Sequence, residues 1–487
     1  MRALSPRDQL RPGHFDKLLL VVFILSLPLL NPWIRGDGVG YYAYVRAPLI
    51  QHNLDFTRDY QNANESFREN RFDVNGEIRK EYRTSTGHLD NHFTVGPGML
   101  WAPFLLVTHA GVILAQKFGA TVAADGFSAP YRYVMAFATG VYGFLGLWLS
   151  FRLARRYTAP LWAVIATLAI WWGSSVPVYM YFNPSWSHAH SIFVCALFLW
   201  YWDITRGERT TRQWVILALI AGLMLDVYYP NVMLLSVLVI EATEQYAGLL
   251  RHHSSPSVKF LSLLGHHAAF VLIVGIVMLP TFITRTIIYG GPFETGYVAF
   301  RYFLWWTPAF FEVLFSADHG LVSWTPLLGV AIIGLAWFAF RKPKVGLPFL
   351  AGLLAFYFFL CLYPDWAGIS SYGNRFFVSM TPLFILGLAY LLERVAALFA
   401  SRRLAIAVSS AVLSLFVLWN LGMIYQWGIH LIPARGPISF PEAAYNQFHV
   451  VPMRLKSSLE SYFLRRGEMM HQIERGDVEH LKRNAEP

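Results

Sequence analysis

The run VGPGMLWAPFLLVTHAGVILAQKF at residues 95–118 is apolar and long enough to cross a bilayer. Whether it crosses sets the sidedness of every loop that follows. Other apolar runs fall at roughly 18–34, 131–151, 160–180, 188–203, 214–228, 229–246, 260–284, 321–340, 346–363, 376–395 and 404–426. Between them lie short basic loops: RLARR near 151–156, TRGERTTR at 205–212, RHH at 251–253 with Lys259, RKPK at 341–344 and SRR at 401–403. The positive-inside rule puts all five on the cytoplasmic side, together with an N-terminus carrying Arg2, Arg7, Arg11 and Lys17. That alternation works only if 95–118 does not cross. The expectation is therefore that 96–118 lies in, or dips into, the external interface. About eleven crossings follow, with a cytoplasmic N-terminus and an external C-terminus.

Composition agrees with a polytopic membrane protein. Of 487 residues 55% are hydrophobic and only 14% charged, where a soluble domain carries about a quarter. The 17 Trp and 25 Tyr suit interfacial belts. The net charge of +10 does not indicate a nucleic-acid partner, because the Lys and Arg sit in short inter-span loops and form no single patch. Cys195 and Cys361 fall inside apolar runs, with neither metal-ligand spacing nor a disulfide framework. The first run contains Pro28, lacks a small-residue cleavage site, and reads as a retained signal anchor. No Walker-type glycine loop and no GxGxxG occurs.

On this topology the external side holds the polar clusters: the first loop (35–130), FNPSWSHAHS at 182–191, a loop at 286–319 and YPDWAGISSYGNRFF at 363–377. The string RGDGVGYYAYVRAPL at 35–49 follows the first span directly and places Asp37 where that helix leaves the bilayer. A carboxylate at such a boundary is a functional candidate. As a structural residue it would cap the helix that follows; the two roles are compatible.

A first helix, an external Asp followed by aromatics, and a long first loop with in-plane helices together resemble the GT-C glycosyltransferases. Nearest in pattern are the protein O-mannosyltransferases and the lipid A aminoarabinose transferase. The resemblance implies an all-α polytopic fold, a sugar donor carried on polyprenyl phosphate, and Asp37 as the base. Gly38 stands where many relatives have a second acid, so a divalent metal is allowed for but not required. NHFTVGPGML at 91–100 matches a basic-residue-then-proline element that faces the donor phosphate in relatives, through His92 and Pro97. Arg375, in SSYGNRFFVSMTP, matches an Arg thought to hold that phosphate; its planar fork suits phosphate oxygens. Its structural alternative is snorkelling to headgroups.

The remaining candidates come from the external strings. Arg301 could assist with phosphate; Tyr41, Tyr42, Asn183, His188, Glu294, Asp318, His319, Tyr372 and Asn374 could line the substrate cavity. His188 and His190 are two apart and point to different faces of a helix, which argues against a two-His metal site. Asp318 and His319 stand at a helix mouth, where capping is the alternative. Glu294 lies in a glycine-rich turn suited either to a lid or to a passive loop.

The expectation is thus a transmembrane catalytic unit over 1–426 and an external tail over 427–487. In the tail, the segment 452–475 has helical periodicity and either covers the site or stays solvated. The acceptor would be a lipid, glycan or protein hydroxyl at the outer face of a bacterial inner membrane, and transfer would invert the sugar. The competing expectation is a transporter or flippase of lipid-linked sugars, for which Asp226 and Glu241 are the charged residues nearest the bilayer interior.

Overall fold

The computed structural model describes residues 13–485 except 70, 74 and 252–255, and the side chains of these except 256, 257 and 480–485. Arg2, Arg7, Arg11, His252 and His253, used in the topology reading, lie outside the described residues. The regular structure described is helical; two isolated β-bridges, Phe72–Ile78 and Arg83–Leu89, pin turns in the first loop.

In chain order the longer helices are α1 (His14–Ser26), α2 (Asp37–Arg46), α3 (Gly96–Lys117), α4 (Ala129–Ala154), α5 (Pro160–Trp172), α6 (His188–Thr205), α7 (Thr211–Val227), α8 (Ser236–Arg251), α9 (Pro256–Val277), α10 (Leu279–Tyr289), α11 (Pro326–Arg341), α12 (Pro343–Leu362), α13 (Thr381–Ala396), α14 (Arg402–Gly428), α15 (Phe440–Leu464) and α16 (Arg466–Ala485). Local chemistry sets several starts. Thr210 and Gln213 form a capping box ahead of α7, Ser401 caps α14, and proline opens α5, α11 and α12.

Polar contacts gather the basic loops at one end of the bundle. Asp16 of α1 accepts from Trp148 (2.8 Å) and pairs with Arg152 (3.0 Å) and Arg155 (3.3 Å) at the end of α4. Asp203 pairs with Arg156 (2.5 Å) and Arg206 (3.2 Å), and Glu393 of α13 accepts the Ala159 amide at 2.9 Å. Arg209 is buried in a two-pronged bond to Glu241, both contacts at 2.9 Å, and Trp202 donates to the same carboxylate at 2.7 Å. Asp37 and Arg375 lie at the other end. Glu241 is therefore a clasp between α8 and the loop joining α6 to α7.

Seven segments of the described residues are long and apolar enough to cross a membrane, and 96–117 is among them, so length and composition alone do not return the expected count of eleven. The contacts of α3 are informative here. Thr94 donates to the Val227 carbonyl at the end of α7 (2.7 Å), and the Leu100 carbonyl accepts from Tyr142 (3.0 Å). Trp101 donates to Thr139 (2.9 Å), and His109 bonds Tyr131 (2.6 Å). The partners step back along α4 from 142 to 131, so α3 runs antiparallel to the first half of α4 and away from the basic end. It does not traverse the bundle, and leaves Leu106, Val107, Leu114 and Phe118 exposed. The expected spans at 160–180, 260–284 and 321–340 are broken in the structure: α5 stops at Trp172, α9 passes into α10 at Met278, and Leu321–Trp324 is a separate turn before α11.

Two outcomes are expected. Glu241→Ala strands the buried Arg209 and should destabilise the fold by about 3–5 kcal/mol, and Glu241→Gln, which keeps one acceptor oxygen but not the charge, should recover only part of that loss, measured by denaturant or thermal unfolding in detergent. Single cysteines at Gly207 and Ser401 should be labelled by an impermeant thiol reagent from the same side, and one at Glu65 from the opposite side; common labelling of all three contradicts the arrangement.

Candidate active site

Asp37 is the first residue of α2, not its cap: the capping position is Gly36, which has no side chain to offer. Gly36 has φ +53°, a conformation that strains other residues, and a Cβ there would meet the Trp186 ring at 3.3 Å. Its amide is held by the Asn64 side-chain oxygen at 2.9 Å, and Trp186 donates to the Arg35 carbonyl at 3.1 Å. Gly38 lets α2 pack on the 183–188 segment, since a Cβ there would lie 1.9 Å from the Ser185 hydroxyl. Relieved of capping, the Asp37 carboxylate accepts from Arg375 Nη1 at 2.6 Å.

Arg375 stacks on Trp186, with its guanidinium carbon 4.6 Å from the ring centroid. Its Nε is buried and has no hydrogen-bond partner among the described residues. A buried donor left unpaired in a cavity is a place for an anionic or acceptor group. The pair opens into a cavity of about 940 Å³. Its lining includes apolar side chains, Val232, Met233, Met278, Phe282, Phe359 and Leu360, polar ones, Arg35, Ser370, His430, Arg435 and Asp477, and the tyrosines Tyr41, Tyr228, Tyr229 and Tyr297.

A second guanidinium faces this cavity. Arg285 of α10 is 3% exposed and donates to the His92 carbonyl (2.8 Å) and the Tyr229 hydroxyl (3.0 Å), while its Nη1 is buried without a partner among the described residues. Sequence reading overlooked it. The signal was present, an arginine at the end of an apolar run, and the rule that singled out Asp37 applies to it equally.

The expected site residues divide. Asp37, Arg375, His92, Tyr41, Asn183, His188 and Glu294 line the cavity. His92 packs on Phe93 and Tyr297, with ring centroids 4.3 and 5.0 Å apart. His188 faces Tyr179, Trp186 and Tyr228, whereas His190 turns away to meet Trp101 edge-on, as their two-residue spacing requires. The other candidates are not among the lining residues. Tyr42 points to the far side of α2 and donates to the Gly126 carbonyl. Arg301 is on an exposed turn, stacked on its neighbour Tyr302. Asp318 Oδ1 lies 2.9 Å from His319 Nδ1 without a hydrogen bond between them, and His319, at a positive φ of 59°, stacks its ring on Trp324. Tyr372 donates to Asn420, and Asn374 donates to the Trp366 carbonyl. Among the described residues no three His, Cys, Asp or Glu side chains group to hold a metal ion.

The tail closes one side. Residues 440–485 form α15 and α16, and Ile473 and Asp477 of α16 reach the cavity wall. Burial pushes the Asp477 carboxyl up, but the hydrogen bond from His430 and the Arg35 charge outweigh it and hold it below its ordinary value.

No protein-family model matches the chain, and no curated protein matches it. Solved structures show distant likeness. ArnT from Cupriavidus metallidurans bound to undecaprenyl phosphate is 14% identical at a TM-score of 0.41, over 89% of this chain and 74% of that one. The Archaeoglobus fulgidus oligosaccharyltransferase in the apo form is 15% identical at 0.41, over 90% and 54%. AglB from the same organism, with an inhibitory peptide and a dolichol-phosphate, is 13% identical at 0.42, over 95% and 56%. The chain thus spans little more than half the length of the two archaeal proteins. Likenesses this distant assign no activity; what the site can do rests on its own side chains.

Two outcomes test the geometry. Gly38→Val should overpack α2 against Ser185 and destabilise the protein by about 1–3 kcal/mol in thermal unfolding, with Gly111→Val, where a Cβ meets nothing, as the unaffected control. Because the Asp477 carboxyl is lowered in the folded state, its contribution is complete above about pH 4 and lost as pH falls through the depressed value. Hydrogen-exchange protection of the 473–478 peptide should hold from neutral pH to about 5 and fail in stronger acid; equal protection throughout contradicts this.

Proposed function

We propose that the chain is an integral membrane glycosyltransferase of the GT-C type, with eleven crossings and its site at the external face of a bacterial inner membrane. The donor is a sugar on polyprenyl phosphate, and the acceptor carries a hydroxyl. The observation that supports this best is the cavity itself: its lining combines apolar side chains, the guanidinium groups of Arg285 and Arg375 with their unpaired buried N–H donors, and the Asp37 carboxylate. A lipid-linked phosphate ester needs these three environments side by side. The lipid chain lies against the apolar lining, and the phosphate meets Arg285, Arg375 and the His92 segment. A lipid-phosphate donor also accounts for the missing nucleotide motifs.

In the reaction the acceptor oxygen attacks the anomeric carbon while the carbon–oxygen bond to phosphate breaks, its electron pair going to the phosphate oxygen. Asp37 takes the hydroxyl proton, and displacement from the opposite face inverts the sugar. The arginines stand where negative charge grows on the departing phosphate. Arg375 neutralises Asp37; a donor phosphate shares Arg375 and loosens its hold on the base.

The transporter reading calls for polar groups continuing through the bundle. Glu241 is closed off by Arg209 and Trp202, and Asp226 is buried with one oxygen accepting from Thr281 at 2.5 Å. Glu241 is fully partnered, which favours the transferase, whereas Asp226 Oδ2 is buried without a hydrogen-bond partner among the described residues.

The test is transfer of radiolabelled sugar from synthetic polyprenyl-phosphate donors to a panel of acceptors, in lipid nanodiscs. Asp37→Asn should lower transfer by about 10²–10⁴-fold and keep or tighten donor binding, since Arg375 loses its competing anion. An Asp37→Asn protein that transfers at the wild-type rate overturns the assignment. Donor binding without transfer by the wild type favours the transporter.

A further inference from the structure

The C-terminal helix α16 is polar, yet it is seated on the residues immediately before Asp37. Its contacts come from one face. Met470 sulfur lies 3.2 Å from the Asn31 amide nitrogen, and the two carboxylates that follow are three residues apart, hence neighbours on the helix surface. Glu474, 8% exposed, accepts from the Asn64 side-chain amide at 3.0 and 3.2 Å and from the Ser66 backbone amide at 2.7 Å. Asp477 accepts from Arg35 and lies 2.8 Å from His430 Nε2.

Both contacts lead to the same turn. Asn64 receives Glu474 on its nitrogen and uses its oxygen to hold the Gly36 amide. Gly36 cannot cap α2 itself, so Asn64 supplies the side-chain acceptor at this helix start. Asp477, for its part, occupies the guanidinium of Arg35, two residues from Asp37 and lining the same cavity. An unoccupied Arg35 would be a second cation able to draw the Asp37 carboxylate away from Arg375.

We infer that Glu474 and Asp477 are positioning residues for Asp37: the end of the chain fixes the Arg35–Gly36 turn so that the Asp37 carboxylate enters the cavity toward Arg375. Glu474 acts through Asn64 and lies 4.0 Å from Arg35, and Asp477 acts by keeping Arg35 occupied at closer range. Neither carboxylate is assigned contact with the reacting atoms. The catalytic part of this inference rests on the transferase reading; the structural part does not.

The experiment uses the full-length protein in nanodiscs with two readouts. The first is hydrogen exchange of the peptide spanning residues 35–39. Glu474→Ala and Asp477→Ala should each raise its exchange well above wild type, while Glu474→Gln, which keeps an acceptor oxygen, stays near wild type. The second is steady-state transfer from the polyprenyl-phosphate sugar. Both alanine variants should lose kcat by about 10–100-fold, with donor KM within about twofold, and Glu474→Gln should recover most of the loss. Asn64→Ala combined with Glu474→Ala should cost no more than either alone, because the two act along one path. Unchanged exchange in both alanine variants overturns the inference, as does equal loss in Glu474→Ala and Glu474→Gln or a parallel loss of donor binding. If wild-type protein transfers nothing, the transferase reading fails, and the exchange result alone decides the positioning claim.

Discussion

Asp37 and Arg375 are 338 positions apart and meet at 2.6 Å on the wall of a large cavity. Much of the architecture serves that meeting. Gly36 and Gly38 let the start of α2 press onto the 183–188 segment, Trp186 supports the guanidinium from one side, and the Arg375 turn opens α13. A half-buried ion pair of this kind contributes little net stability once desolvation is counted. Its persistence beside unpaired donors on Arg375 and Arg285 makes more sense as a binding arrangement than as a structural one.

The cavity's asymmetry gives the arrangement a direction. Its apolar lining includes Met278 and Phe282, where α9 breaks into α10, and its polar lining includes Asp477 of α16. A lining of both kinds suits an amphiphile whose charged group meets the arginines. The break at Met278 also carries Arg285 into the cavity: in the expected continuous span at 260–284, it would have been a boundary arginine facing headgroups.

How far these features could be read from sequence differs by physical cause. Counting basic loops predicts that Gly96–Lys117 does not cross, whereas length and apolarity place it among the candidate spans. Asp37 stood out because a carboxylate at a membrane boundary is costly, and Arg375 because a polar string surrounds it. Arg285 was overlooked because it lacks such a string. Asp318 and His319 looked equally suited, but a positive φ at His319 turns its ring into the core, and backbone conformation of that kind leaves no trace in composition. The tail's polarity fits a solvated helix as well as a docked one; only the pairing of Glu474 and Asp477 with the first loop separates the two.

The central claim is that this cavity takes a lipid by its phosphate. The most direct measurement is photo-crosslinking with a polyprenyl phosphate bearing a diazirine near its phosphate end, followed by peptide mapping of the protein in nanodiscs. Crosslinks confined to the peptides around Met278–Phe282 and Phe359–Leu360, competed by unlabelled polyprenyl phosphate but not by polyprenol, are the predicted result. Crosslinks spread over the lipid-facing surface, or competed equally by polyprenol, would contradict it.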